Sequence, residues 1–423
     1  MKKVTILGMG YVGIPLAIIC AEKGYSVMGI DKNKQILEKL RNGELHIKDK
    51  QLEQEFKQVH NKIKYQDNIT EESDIFIIAV PTPVDDKHMP ILGYVEAACE
   101  EVSKFLKQGN IVILESTIHP GTTEEIAQPI LEKSGLKAGK DFFLGHCPER
   151  VDPGNQKWTV RNIHRVVGAV SKEGAKKIGD FYRTIVDGQI LELNSVKAAE
   201  AVKIMENTFR DVNIAYMNEL AQFFDIIGID IMEVVKGASI KPFGYMPFYP
   251  GCGVGGHCIP VDPYYLIEKA KQSGFDHKFL SHAREVNNSM PEYTVKLFQD
   301  ILNNMEKSVS NAKVGVLGLA FKGNVDDTRG SPALKIVESL KKKNADVHVF
   351  DPHVKHIKSD ANEIEHLLQE VDYLILAADH KEFKNIDHNK FKEYGIKLII
   401  DGKNCLEKEK IENLGIIYKG IGR

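Results

Sequence analysis

Gly8-Met9-Gly10-Tyr11-Val12-Gly13 stands directly after the short apolar run Val4-Thr5-Ile6-Leu7 and opens a helical stretch, Ile14 to Lys23. A G-x-G-x-x-G placed between a strand and a helix leaves few folds open. The first glycine makes a tight turn. The second lets the backbone approach a pyrophosphate, and the third lets the helix pack closely on the strand. The N–H groups of the helix N-terminus then face the phosphates. A second strand, Tyr25 to Ile30, ends at Asp31, 18 residues past Gly13. A carboxylate at that place accepts from ribose hydroxyls and repels a 2′-phosphate, which favours NAD over NADP. Lys32 and Lys34 pull the other way, since a nearby cation accommodates a phosphate. Strand, glycine turn, helix and strand make the opening βαβ unit of a doubly wound sheet.

Further apolar strands are predicted at Ile75–Val80, Ile111–Leu114, Phe142–Leu144 and His164–Val167, with helical patterns between most of them. From about Ser195 to Ile227 the pattern changes. Val196, Ala199, Val202, Phe209, Val212, Tyr216, Leu220, Phe223 and Ile227 recur at three- and four-residue spacing with no proline, which predicts one long amphipathic helix or two in series. A second α/β pattern starts at Lys313-Val314-Gly315-Val316-Leu317-Gly318, continues through a helix at Pro332–Lys343 and a strand at Asp346–Phe350, and ends that strand at Asp351. Val371–Leu376 and Lys397–Asp401 follow. The second half echoes the first. The expected fold class is α/β: two Rossmann-like doubly wound domains joined by a long central helix in a helical middle domain. The expected boundaries are 1–195, 196–300 and 301–423.

At 423 residues, 43% hydrophobic and 27% charged, the chain has the composition of a soluble globular protein. Its formal net charge of −3, with both signs interspersed, argues against a dedicated nucleic-acid binder. No apolar run is long enough to span a bilayer, and the opening Met1-Lys2-Lys3 leads straight into a strand rather than a secretory signal. Six scattered cysteines make no disulfide framework, so a reducing cytoplasm is expected.

Four segments look unlike scaffold. Pro250–Pro263 holds four glycines, then Cys258 and Asp262. The glycines are expected to bring backbone close to a ligand, and a thiol in such a pocket is a candidate nucleophile. Glu115–Thr123 follows a strand and places hydroxyls and a glycine at its C-terminal end, where ligands bind in open α/β sheets. The plainer alternative there is a helix cap by Thr122 or Thr123. Cys147-Pro148-Glu149-Arg150 also follows a strand and presents a carboxylate to the same crevice, or else is a surface turn with an Arg–Glu pair. Lys203 and Asn207, four apart, share one face of the central helix. On its own, Lys203 reads better as a solvated helix lysine than as a site residue. Cys252, His257 and Cys258 lack the short chelating spacing of a zinc site, and no metal is expected. Cys20, Cys99 and Cys405 have no motif around them and suit small core positions.

Together these segments resemble the UDP-glucose/GDP-mannose dehydrogenase superfamily along essentially the whole chain. The resemblance rests on Gly8/Gly10/Gly13, on Lys203 with Asn207, on Gly253-Val254-Gly255-Gly256-His257-Cys258 with Asp262, and on the α/β pattern from about 310. It lifts Lys203 from a solvated lysine to a site residue. It also implies that Phe321-Lys322 and Asp327-Thr328-Arg329 contact nucleotide phosphate or cofactor, and that Lys403 lies near the uridine end. Within the superfamily, GGHCIPVDP is similar to the branch acting on UDP-N-acetylhexosamines. So is Pro148-Glu149-Arg150-Val151-Asp152-Pro153-Gly154, where UDP-glucose enzymes carry a second glutamate in place of Pro153. Lys241–Gly251 is similar to UDP-N-acetylglucosamine 6-dehydrogenases. The glucosamine sugar is therefore expected first, UDP-N-acetylmannosamine second and UDP-glucose third. A non-catalytic nucleotide-sugar binder remains the outside alternative.

The resemblance implies a four-electron oxidation of the sugar C6 alcohol to a carboxylate, with NAD as cofactor. The implied catalytic residues are Cys258, Lys203, Asn207, Asp262, Thr117 and Glu149. Cys258 forms a thiohemiacetal and then a thioester; Lys203 and Asn207 stabilise oxyanions; Thr117, Glu149 and Asp262 position or activate water. Lys203 is also a candidate for the first base. Implied cofactor contacts are Gly8, Gly10, Tyr11, Val12, Gly13, Asp31, Thr82, Thr117 and Arg329. Implied substrate contacts are Glu149, Arg150, Lys203, Asn207, Tyr249, Gly251, Gly255, Lys322 and Lys403. The expected partners are a UDP-sugar and a second copy of the chain through the central helix, with neither nucleic acid nor membrane.

Overall fold

The computed structural model describes residues 2–47, 49–85, 89–151, 155 and 157–423; Pro153, on which part of the branch expectation rests, lies outside the described residues. The chain forms two compact units, Met1–Glu206 with Tyr264–Phe275, and Asn207–Pro263 with Asp276–Arg423.

The first unit is built on strands β1 (Lys3–Leu7), β2 (Ser26–Ile30), β3 (Ile63–Gln66), β4 (Ile75–Ile78), β5 (Ile111–Leu114), β6 (Phe143–His146), β7 (Arg165–Ala169) and β8 (Ile190–Glu192). Their order is β3-β2-β1-β4-β5-β6-β7-β8, and every neighbouring pair is parallel except β6 with β7. The order reverses beside β1, the switch point where α/β sheets open a crevice. Alternation assigns the side chains to two faces. Val4, Ile6, Ile75 and Ile77 pack into one apolar cluster, and Leu7, Phe76 and Ile78 into another. With both faces covered, β4 is continuously apolar, as parallel sheets require. The first helix, Gly13–Glu22, is buried along almost its whole length.

The central helix is continuous from Val196 to Ile227. Ser195 Oγ accepts the Ala198 N–H at its start, and Gly228 in the left-handed region (φ 72°) follows its end. Its 32 residues give a rod of about 48 Å.

The second unit carries β9 (Lys313–Leu317), β10 (Asp346–Phe350), β11 (Tyr373–Leu376), β12 (Leu398–Asp401) and β13 (Ile417–Gly420). They form one parallel sheet in the order β10-β9-β11-β12-β13. The half-chain echo seen in the sequence is therefore a repeat of sheet and helix. Asp351 ends β10 as Asp31 ends β2, but it is buried. Its carboxylate accepts the N–H groups of Leu319, Ala320, His353 and Val354 and pairs with His380 Nε2 at 3.0 Å. Among the described residues no helix is long and apolar enough to cross a membrane.

Candidate functional site

The glycine turn fits a dinucleotide. Gly8 has φ 97°, and a Cβ there would lie 2.5 Å from the Ala79 carbonyl oxygen. A Cβ on Gly13 would lie 1.9 Å from the Gly8 carbonyl oxygen, so only glycine lets the helix start this close to β1. Gly10 has nothing within 4 Å of its Cβ position, which leaves the space a pyrophosphate needs. Val12 is the residue immediately before the first helix, and Tyr11 beside it is 57% exposed. Asp31 accepts the Met9 N–H with Oδ2 and the Asn33 N–H with Oδ1, so its carboxylate is fixed over the turn. The Lys32 ammonium is bound by the Asp67 carbonyl, Asn68 and Glu101. The Thr82 carbonyl accepts from Tyr265 Oη at 2.6 Å.

The loop after β5 is organised by the central helix. Lys203 Nζ donates to Thr117 Oγ1 at 2.5 Å. One turn earlier, Glu200 is fully buried, and its two carboxylate oxygens accept the N–H groups of Gly121 and Thr123 at 2.6 and 2.7 Å. The helix-cap alternative for Thr122 and Thr123 is therefore corrected. Thr122 Oγ1 turns to the His119 carbonyl, and the acidic residue on the central helix does the capping. A carboxylate outcompetes a hydroxyl for backbone N–H groups because the bonds are charge-assisted. The turn that follows, Thr123–Ala127, is π-helical, a form frequent at functional sites.

Glu149 is not in a surface Arg–Glu turn. Its Oε1 accepts the N–H groups of Arg150 and Val151, and its Oε2 accepts from the fully buried Arg165 at 3.0 Å. Arg150 instead pairs with Glu206. Arg165 also lies 3.6 Å from Glu115, which accepts from Tyr182 Oη. Burial pushes the Glu115 carboxyl up to about 7, and the neighbouring Arg165 charge offsets part of that rise.

In the second unit, the cysteine loop precedes the helix Asp262–Gln272. The Cys258 carbonyl accepts the N–H groups of Val261 and Asp262, closing a turn. Asp262 is buried and accepts from Asn207 Nδ2 at 2.6 Å. Cys258 is half-buried, while Cys20, Cys99, Cys147 and Cys252 are fully buried. Two of the loop's glycines also pack closely within the protein itself. A Cβ on Gly255 would meet Phe321 at 2.7 Å and the Gly330 carbonyl at 2.9 Å, and one on Gly256 (φ 94°) would meet the Phe321 ring at 2.9 Å. Gly251 donates its N–H to Asn218 Oδ1, and its Cβ position lies 3.9 Å from Lys403 Nζ. Tyr249 is exposed. Arg329 accepts the Gly256 N–H on its carbonyl and grips Asp327 with its guanidinium, while Lys322 lies over the Phe321 ring.

Thus Gly8, Gly10, Tyr11, Val12, Gly13, Asp31, Thr82, Thr117, Glu149, Arg150 and Lys203 belong to the first unit. Asn207, Tyr249, Gly251, Gly255, Cys258, Asp262, Lys322, Arg329 and Lys403 belong to the second. Four organising residues were not singled out from sequence: Glu115, Arg165, Glu200 and Asn218. For two there was a signal. Glu200, Asn207, Asp211 and Asn218 repeat at seven, four and seven on the central helix, a polar stripe whose members are buried or half-buried.

Residues 2–186 match the NAD binding domain of the UDP-glucose/GDP-mannose dehydrogenase family, 197–289 its central domain and 315–408 its UDP binding domain. The chain is 38% identical to UDP-N-acetyl-D-mannosamine dehydrogenase of Pyrococcus horikoshii, covering 100% of this chain and 99% of that one. It is also 38% identical to UDP-N-acetyl-D-glucosamine 6-dehydrogenase of Pseudomonas aeruginosa, covering 96% and 98%. A solved UDP-D-ManNAc dehydrogenase from Pyrococcus horikoshii superposes with a TM-score of 0.92 at 38% identity, over 100% of this chain and 99% of that one. With its dinucleotide turn, its cysteine loop and these matches along its length, the chain belongs to the UDP-glucose/GDP-mannose dehydrogenase family and is an NAD-dependent nucleotide-sugar dehydrogenase.

Proposed function

We propose that this chain oxidises the C6 alcohol of a UDP-N-acetylhexosamine to the carboxylate, holding the sugar on Cys258 between the two oxidations. The observation that carries this is the turn in which Cys258 stands: it is closed by N–H donation from Val261 and Asp262, and Asp262 is bound to Asn207. A half-buried cysteine on a closed turn, four residues before a carboxylate that an amide holds, supports covalent capture of an aldehyde.

NAD⁺ bound at the glycine turn supplies a hydride acceptor for each oxidation. Lys203, fixed by Thr117, takes the C6 hydroxyl proton and then, as an ammonium, faces the developing oxyanion. The Cys258 sulfur adds to the aldehyde carbon, giving a thiohemiacetal, and Lys203 and Asn207 are assigned to stabilise its oxyanion. Oxidation of that adduct leaves a thioester. Water then adds to C6, a water proton passes to Glu149, the C6–Sγ bond breaks and the thiolate departs. Gly8, Gly10, Gly13, Tyr11, Val12, Asp31, Thr82, Thr117 and Arg329 are assigned to the cofactor. Arg150, Tyr249, Gly251, Gly255, Lys322 and Lys403 are assigned to the UDP-sugar.

Two observations bear on the C2 centre. Relatives named for the mannosamine sugar are the more frequent, from Pyrococcus to Methanocaldococcus, which supports UDP-N-acetylmannosamine as the first reading. Lys241–Gly251 and the Pseudomonas relative support UDP-N-acetylglucosamine as the second reading. The test is kcat/KM for both sugars and for UDP-glucose. A site that hydrogen-bonds an N-acetyl group leaves its partner unpaired with glucose, a discrimination that reaches about 10⁴. Highest activity on UDP-glucose overturns the acetamido assignment; the better of the two acetamido sugars decides the epimer.

The division at 1–195, 196–300 and 301–423 is kept as cofactor, central and UDP-sugar segments. The central helix is assigned to a homodimer, because Met205, Phe209, Tyr216, Phe223 and Ile227 form an exposed apolar stripe at four- and seven-residue spacing.

A further inference from the structure

The loop that carries Cys258 is pinned to the central helix at both ends, and both pins lie within the second unit. Asp262 Oδ2 accepts from Asn207 Nδ2 at 2.6 Å, and Asn218 Oδ1 accepts the Gly251 N–H at 2.9 Å. Asn207 and Asn218 stand about three turns apart on the helix, so they share one face and lie about 16 Å apart along its axis. The Asn207 pin belongs to the chemistry proposed above. Nothing in that chemistry uses the Asn218 pin.

Asn218 is fully buried, and its amide stands in a chain whose two ends fix the orientation of every member. At one end, Asn287 Nδ2 donates to the Asp211 carbonyl at 2.9 Å and to Asp211 Oδ1 at 2.8 Å. Both of these groups only accept, so Asn287 turns its own Oδ1 the other way, where it accepts from Asn218 Nδ2 at 2.8 Å. At the other end the Gly251 N–H is a donor and requires the Asn218 oxygen. The buried Arg284 guanidinium donates to the same Asp211 oxygen and holds the carboxylate in place. Neither amide can turn over without setting acceptor against acceptor and leaving a buried N–H unmade.

What the chain delivers is the placement of Gly251. The Gly251 Cβ position lies 3.2 Å from the Gly402 carbonyl oxygen and 3.9 Å from Lys403 Nζ. The next residue, Cys252, donates its N–H to the Gly402 carbonyl at 2.9 Å, and the Lys403 N–H is donated to the buried Asp401 carboxylate. Gly251 is thus held between Asn218 and the segment that carries Lys403.

We propose that Asn218, oriented through Asn287 by Asp211, is a positioning residue for the UDP end of the substrate, setting the Gly251 backbone against Gly402 and Lys403 and so shaping the seat of the nucleotide. The inference rests on the assignment of Gly251 and Lys403 to the UDP-sugar. Asn218 touches none of the reacting atoms. The Asn207 pin and the turn at Cys258 hold the other end of the loop, so loss of the Asn218 pin acts on binding more than on the chemical steps.

The experiment titrates UDP alone into the full chain by calorimetry, with NAD⁺ affinity and Tm measured beside it. The proteins compared are the unaltered chain, Asn218→Asp, Asn218→Ser, Lys403→Ala and the double variant Asn218→Ser/Lys403→Ala. Asn218→Asp keeps the shape but turns a carboxylate oxygen toward Asn287 Oδ1. Asn218→Ser merely shortens the side chain and leaves room for a water, so it serves where the charged variant does not fold. The expected result for both is a UDP Kd weaker by about tenfold or more, since a buried backbone N–H loses its acceptor. NAD⁺ affinity should stay within about twofold, and KM for the UDP-sugar should rise with the UDP Kd while kcat falls by less than about threefold. In the double variant the loss beyond that of Lys403→Ala should be smaller than the loss from Asn218→Ser alone, because both changes act on one seat. A role in stability alone lowers Tm with UDP affinity unchanged, or gives losses that simply add, and either result overturns the inference. So does an Asn218→Ser chain that does not fold. If Lys403→Ala binds UDP as the unaltered chain does, the assignment of Lys403 fails first, and the inference with it.

Discussion

Asp31 Oδ2 accepts the Met9 backbone N–H at 2.9 Å, tying the acid that ends β2 to the glycine turn that starts the cofactor site. The carboxylate is thereby held at the glycine turn, the place proposed above for the ribose, and Lys32 is occupied elsewhere. NAD⁺ should therefore give the higher kcat/KM, and Asp31→Asn should narrow the gap. Equal values for the unaltered chain would sink this argument.

Cys258→Ser should abolish acid formation while leaving NAD binding and the fold intact, because hydroxyl is a far weaker nucleophile than thiolate. Product analysis by mass spectrometry after long incubation is the check. Normal yields of the uronic acid would refute covalent capture.

Lys203→Ala removes the donor that Thr117 fixes in place. Loss of one oxyanion donor costs about 10²–10³ in kcat. A loss below about threefold would return Lys203 to a solvated face.

The pH dependence of stability should carry the signature of Glu115. Its carboxyl is raised from 4.5 to about 7 in the folded chain. Between those values the folded state holds the proton and the unfolded state has released it, so stability from this group falls as pH rises through the window. Glu115→Gln cannot ionise. Its Tm relative to the unaltered chain should therefore improve from pH 5 to pH 8, as read by thermal unfolding. A difference independent of pH would contradict the burial argument.

The exposed stripe on the central helix predicts a dimer. Light scattering at micromolar concentration should give twice 47.5 kDa, and Phe223→Glu with Ile227→Glu should shift it toward monomer. A fully active monomer from the unaltered chain would remove the interface.

What the sequence made legible was what repeats locally. The runs at β4 and β5 were visible because both faces of a parallel strand are apolar. β3 and β8 were not singled out. Ile63-Lys64-Tyr65-Gln66 alternates at the sheet edge, and Ile190-Leu191-Glu192 is half-exposed or exposed. Cys258 and Asp262 stood out by their motif, but the close packing of Gly255 and Gly256 against Phe321 did not, because Phe321 lies more than 60 positions away. Arg165 was invisible for the same reason: its carboxylate partners come from other elements of the fold, and no local spacing records a long-range ion pair.

The two halves of the chain share a sheet plan but not a vacancy. In the second half the acid at the ribose position is closed off: Asp351 is filled by four backbone N–H groups and a histidine. One chain should accordingly titrate with a single equivalent of dinucleotide. On the four-electron route proposed above, that single place requires a changeover in mid-cycle, in which the spent coenzyme leaves and a fresh one enters while the sugar stays tethered. NADH release from the first unit should then be one of the steps that set the turnover rate.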